Sequence, residues 1–137
     1  MGTVVSRKKL NIGLELFRLI IYTGSGGEAE NAVSINKLLA QELVDLQPRQ
    51  RTLQLETCFS KVLASLPEKP VIKDIDVMFH PSYKVDVMKI LLSVYKQKPF
   101  SLVWPGNYED GRLIYSEENL QDYKTYEIND YDIVCVI

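Results

Sequence analysis

Pro70-Val71-Ile72-Lys73-Asp74, the segment from Val85 to Tyr95, and Phe100-Ser101-Leu102-Val103-Trp104 decide how this chain folds. The first is a short apolar run that ends in acid. The second is entered through the loop His80-Pro81-Ser82 and places apolar residues at Val85, Met88, Leu91, Leu92 and Tyr95, a spacing that follows the helical period. Pro99 ends that helix, and Pro105-Gly106 stops the third run. Strand, helix, strand in this order predicts a βαβ crossover. Such a unit covers parallel strands with a helix and gathers their carboxyl ends along one edge, where ligands bind.

Working outward, Arg18-Leu19-Ile20-Ile21-Tyr22-Thr23 reads as another apolar strand, cut off by Gly24-Ser25-Gly26-Gly27. Upstream, Leu10 to Phe17 suits a short helix better than a ragged lead-in to that strand. Downstream, Ala32-Val33-Ser34-Ile35 is a further short strand. Asn36 is placed to cap a helix from Lys37 to about Leu46, and Pro48 separates it from a second helix, about Arg49 to Leu66. After Gly106 come strand-like runs at Arg112-Tyr115, Tyr123-Tyr126 and Asp132-Ile137, separated by Glu109-Asp110-Gly111, Glu117-Glu118-Asn119 and Asn129-Asp130. The last run is almost wholly apolar and is expected to be buried. Tyrosines crowd this third of the chain, as half-buried strand residues or as a stacking surface. The expected architecture is α/β and three-layered, with a mostly parallel sheet drawn from 18–23, 32–35, 71–74, 100–104 and 132–137.

With 137 residues, 46% of them apolar, the chain suits a single domain, 1–137. A formal charge of −2, from 16 basic and 18 acidic side chains, gives no global field to attract nucleic acid, so DNA contact is expected to be weak. Cys58 and Cys135 have neither zinc-binding spacing nor a disulfide framework, which fits a reducing cytoplasm. The basic start Arg7-Lys8-Lys9 is followed by Asn11, Gly13, Glu15 and Arg18 before any long apolar core, so neither a signal peptide nor a membrane span is expected.

Two places carry candidate chemistry. A glycine-rich turn after a strand is where a phosphate loop would lie. A working loop also needs a Lys for the β/γ oxygens, a Ser or Thr for magnesium, and a helix starting there. Gly24, Ser25, Gly26 and Gly27 supply the turn, but Glu28-Ala29-Glu30 follows, and the competing reading is a plain flexible connection. Asp74, at the carboxyl end of a buried strand, and its neighbour Asp76 stand where P-loop NTPases hold magnesium; the plainer reading makes Asp74 a turn residue and Asp76 a solvated one. Arg51, near the start of a helix with Arg49, is a candidate to reach a neighbouring subunit's phosphate, against a plain solvated guanidinium. His80, the only histidine, has no nucleophile or metal partner marked by spacing.

The run Asp74-Ile75-Asp76-Val77-Met78-Phe79-His80-Pro81-Ser82-Tyr83-Lys84-Val85-Asp86, with Leu102-Val103-Trp104-Pro105-Gly106, Arg112-Leu113-Ile114-Tyr115-Ser116, Tyr123-Lys124-Thr125-Tyr126 and Pro48-Arg49-Gln50-Arg51, resembles the small P-loop protein family of bacteriophage-exclusion (BREX) defence systems, BrxF. The similarity covers most of the chain after about Asn31. It implies a P-loop NTPase-like fold, ATP and magnesium as the family's ligands, and assembly with itself or other BREX proteins. One departure is decisive for activity. The family has a full phosphate-loop helix before the segment resembling Val33-Ser34-Ile35-Asn36, whereas the few residues after Gly27 cannot hold a helix of about 11 residues. Either this member has lost the loop and its helix, or the segment has been cut short. The expectation is therefore an eroded nucleotide site, no efficient ATP hydrolysis and no firm cofactor. The alternatives are an active ATPase of the same system, or an unrelated small α/β interaction module.

Overall fold

The computed structural model describes residues 2–7, 18–24 and 27–137; the expected helix between Leu10 and Phe17, and Ser25 and Gly26 of the glycine turn, lie outside them. In chain order the elements are β1 (Thr3–Val5), β2 (Leu19–Tyr22), α1 (Glu28–Asn31), β3 (Val33–Ser34), α2 (Asn36–Leu43), α3 (Pro48–Ala64), β4 (Val71–Lys73), α4 (Val87–Gln97), β5 (Ser101–Val103), β6 (Asn107–Glu109), β7 (Arg112–Tyr115), β8 (Lys124–Glu127) and β9 (Ile133–Val136). Short 3-10 turns at Asp76–Phe79 and Ile128–Asp130 join them.

Six strands form one sheet in the order β1-β9-β2-β5-β4-β3, and every neighbouring pair is parallel. The β4-α4-β5 crossover expected from sequence is present, with Val71 opposite Ser101 and Ile72 opposite Leu102. The apolar carboxyl terminus is not an edge strand. β9 inserts between β1 and β2, and Ile133 to Val136 are fully buried.

Side-chain alternation explains the covered face. Leu19, Ile21, Ile72, Leu102, Ile133 and Cys135 are 0% exposed and share one core with Leu39, Leu55, Phe59, Leu63, Met88, Leu91 and Val94 from α2, α3 and α4. Burying each such aliphatic side chain contributes about 1.5–3 kcal/mol. The alternate residues face the other way, where Ile20, Tyr22, Val71 and Val103 are only half-buried although Val134 and Val136 of β9 beside them are buried. On that second face the Lys73 Nζ donates to the Ala29 carbonyl of α1 (3.0 Å), so among the described residues the third layer is represented by a four-residue helix.

The end of the chain departs from the expected pattern of separate strand-like runs. β6, β7 and β8 form their own antiparallel sheet, in that order, and β6 occupies residues whose polarity reads as turn. Aromatic side chains join the two sheets. Phe79 stacks on Tyr115 (3.8 Å, 10°) and meets Trp104 edge-on (5.8 Å, 89°), while Trp104 meets Tyr126 edge-on (5.9 Å, 87°). Tyr115 and Tyr126 are thus inward residues of β7 and β8, not a stacking surface.

Candidate functional site

β2, β4, β5 and β9 are parallel, so their carboxyl ends lie along one edge. Thr23, just past β2, is pinned to β9: its backbone N–H and its Oγ1 both donate to the Val136 carbonyl (2.9 Å each). Gly24 then takes a positive φ of 77°, a conformation a side chain would resist. Asp74 leaves β4 at the same edge with φ 55° and is exposed. β5 lies between β2 and β4, so two strand spacings, roughly 10 Å, separate the glycine turn from Asp74.

A cleft of about 600 Å3 opens beside Gly24, lined by Arg7, Thr23, Trp104, Asn107 and Tyr108. Arg7 is its cation, and it is already bound. Its Nε donates to Glu28 Oε1 (2.8 Å), and its Nη2 donates to Glu28 Oε2 (3.4 Å) and to the Thr23 carbonyl (2.6 Å). The hydrogen bond from Arg7 holds the Glu28 carboxyl below its usual pKa, against the opposing effect of burial. The acid that follows the glycine turn is therefore neutralised from β1's end of the sheet, and its carboxylate sits against the only cation among the described residues lining the cleft.

This pair sets a pH-dependent term in stability. Because the folded pKa is depressed, its contribution is complete above the unfolded glutamate pKa and is lost as pH falls through the folded value. Glu28→Gln is expected to cost about 0.5–1 kcal/mol at neutral pH, since both side chains keep some solvent contact. Urea midpoints of the variant and the parent should converge as pH falls below the usual glutamate range; a gap that persists there would mean that the ion pair is not the source.

The remaining candidates gather elsewhere. The Asp76 carboxylate accepts from Tyr115 Oη (2.8 Å) at Oδ1 and from Asn36 Nδ2 (3.3 Å) at Oδ2. Asn36, expected as the cap of α2, is that helix's first residue, and its Oδ1 instead accepts the Val77 N–H (2.9 Å), capping the 3-10 turn. Arg51 is also engaged: Nε donates to the carbonyls of Leu43 and Leu46 (3.0 Å each) and Nη2 to that of Val44 (3.1 Å), closing the carboxyl end of α2. A guanidinium there satisfies orphan carbonyls and opposes the helix dipole. Arg51→Ala should therefore lower stability by about 1–2 kcal/mol in denaturant titration, and an unchanged midpoint would show that water replaces it freely. Arg51 and Asp76 share a second cleft, distinct from the one beside Gly24.

His80 does have a hydroxyl neighbour. Ser82 Oγ lies 2.7 Å from Nδ1, which also accepts the Ser82 backbone N–H (3.2 Å), a local turn that spacing alone did not mark. That backbone donor requires an unprotonated Nδ1, so the neutral ring carries its proton on Nε2. Burial first, then the hydrogen bond to Asp76, raises the Tyr115 phenol above its usual pKa, so it stays a proton donor at neutral pH.

For a magnesium nucleotide the donor set does not fit. Glu28 and Ala29 stand where a lysine and a metal-binding hydroxyl are needed, Arg7 is bound to Glu28, and α1 has only four residues. Among the described residues no three His, Cys, Asp or Glu side chains are grouped to hold a metal ion, and no helix is long and apolar enough to cross a membrane. Compared with known proteins, the chain matches no family model, no curated protein and no solved structure.

In the sequence Arg7 stands out only as part of a basic start. Its signal was the β-branched run Thr3-Val4-Val5, which marks a strand that brings the following residues to the sheet's carboxyl edge. Tyr115 and Ser82 carry no comparable signal, and Asn36 is marked in the sequence only as a helix cap.

Proposed function

We propose that this chain is an assembly subunit of a BREX-type anti-phage system, built on a P-loop NTPase-like core that no longer hydrolyses ATP, and acting in the cytoplasm through protein contacts. The observation that carries the loss of hydrolysis is the Arg7–Glu28 pair at the glycine turn. Phosphoryl transfer depends on positioning and on charge stabilisation, and here the cation that lines the cleft among the described residues is bound to an internal carboxylate. The P-loop-like ancestry is supported by the strand order, in which the glycine turn and Asp74 leave one edge of a parallel sheet separated by a single strand. The assembly role is supported by the half-buried apolar residues Ile20, Tyr22, Val71 and Val103 of the second face, because parallel sheets are normally covered on both. DNA contact in this reading is weak and lost with salt, since few phosphates can be neutralised together.

A second reading, a small α/β interaction module unrelated to BREX, is favoured by the lack of a match to any family model. One experiment separates the two. The tagged chain is expressed with the other proteins of a BREX locus, and the purified material is assayed for ATP turnover beside an Asp74→Ala control. Co-purification of a BREX protein, with equal background turnover in both preparations, is the expected result. Substantial turnover abolished by Asp74→Ala would overturn the loss of hydrolysis, and isolation of the chain alone would favour the unrelated module.

A further inference from the structure

The cleft shared by Arg51 and Asp76 has a volume of about 400 Å3 and opens where the carboxyl end of α2 meets the 3-10 turn and the loop that follows it. Its exposed apolar lining comes from Ala40, Val44 and Pro81, over the buried Leu43 and Phe79, and Val44 is left 62% exposed at its margin. Three ionic side chains border it as well: Asp76, Asp122 and Arg51. The positive one is held at the carboxyl end of α2, where Arg51 meets three carbonyl oxygens, and against the two carboxylates it leaves these three side chains with one negative charge in excess. The two negative ones are held in orientation but not neutralised. Tyr115 and Asn36 fix Asp76, and Ser116 Oγ donates to Asp122 Oδ1 (2.5 Å). A carboxylate accepts about four hydrogen bonds, so both retain acceptor capacity, and neither forms an ion pair among the described residues.

We propose that this cleft docks a lysine or arginine side chain presented by an extended segment of a partner protein. The argument is complementarity of both kinds. Basic side chains lay a methylene stem on apolar surface while the charged head reaches polar groups, and here Ala40, Val44 and Pro81 offer the surface while Asp76 and Asp122 offer the acceptors. The carboxylates are already oriented by Tyr115, Asn36 and Ser116, so little ordering remains to be done on binding. A polypeptide is preferred to a free polyamine because the exposed Val44 gains only from an occupant with an apolar neighbour beside its charge. The inference is independent of the BREX reading.

The test is a nitrogen-15 NMR titration of the whole chain with the capped dipeptide acetyl-Leu-Arg-amide. Parallel titrations use acetyl-Leu-norleucine-amide, which keeps the stem without the charge, and spermidine. Shifts concentrated at Val44, Val77, His80 and Tyr83 are expected, with binding about fivefold weaker for the norleucine peptide, the worth of one partly exposed charge contact. Asp122→Asn retains an oxygen for Ser116 and should weaken the arginine peptide by a similar factor while leaving the norleucine peptide unchanged. Equal binding of the two peptides, shifts away from the cleft, or no binding at all would overturn the proposal. Spermidine binding more tightly than the arginine peptide would overturn the protein source.

Discussion

Phe79→Ala is expected to lower stability by about 3–5 kcal/mol, a large share of what a domain of this size possesses. Phe79 is 3% exposed at the end of the 3-10 turn and lies between two sheets that share no strand pairing. One face of its ring stacks on Tyr115 of the antiparallel sheet, and its edge meets Trp104, just past β5 of the parallel sheet. Truncation therefore removes both aromatic contacts and leaves a cavity that neighbouring β-strands cannot close without moving apart. The loss is measured as the urea midpoint at unchanged slope. A steeper effect on the antiparallel sheet than on the parallel one, read by hydrogen exchange at β7 and β2, would show that the small sheet comes loose first. Destabilisation below about 1 kcal/mol would mean that the two sheets are held together elsewhere.

The legibility of this fold follows from which interactions are local. The β4-α4-β5 unit was readable because Met88, Leu91, Leu92 and Tyr95 repeat at helical spacing between two apolar runs, although Val85 precedes the helix and Val94, not read from the spacing, is buried in it, and periodicity is a property of neighbouring residues. β2, β3 and β9 were readable for the same reason. β6 was not, because Asn107-Tyr108-Glu109 has little intrinsic strand preference and gains its hydrogen bonds only by pairing with β7. Its turn was legible: Asp110 and Gly111, with φ 49° and 80°, form the kind of left-handed two-residue hairpin that Asp-Gly favours.

The site was less legible than the fold because its decisive contacts join residues far apart in sequence. The spacing of the glycines and of Asp74 located the sheet edge. Nothing in the sequence told that Arg7 would meet Glu28, or that Arg51 would turn back onto α2 through carbonyls that precede it, because both depend on how strand and helix ends converge.

Gly106→Ala should be comparably damaging, for a reason unrelated to backbone conformation. Gly106 follows Pro105 and leads directly into β6, and a methyl group there would overlap the Ile114 carbonyl oxygen well inside van der Waals contact. That oxygen is a strand acceptor as well as the acceptor of Trp104 Nε1 (3.0 Å), which itself would lie 3.0 Å from the new carbon. Relief requires β6 and β7 to shift, the indole to turn, or both. Overpacking of this kind costs about 1–3 kcal/mol, and leaving the buried indole N–H unsatisfied about 1–3 more. The expected total is about 3–5 kcal/mol by denaturant titration, with a red shift in the emission of Trp104, the only tryptophan. Gly111→Ala supplies the contrast. Its added carbon would meet open space, and only the left-handed φ of 80° opposes it, at about 1 kcal/mol. If the two substitutions cost the same, close packing of Gly106 against β7 is not what makes glycine necessary there; if Gly106→Ala alone moves the tryptophan emission, the contact between the two sheets is the part that has given way.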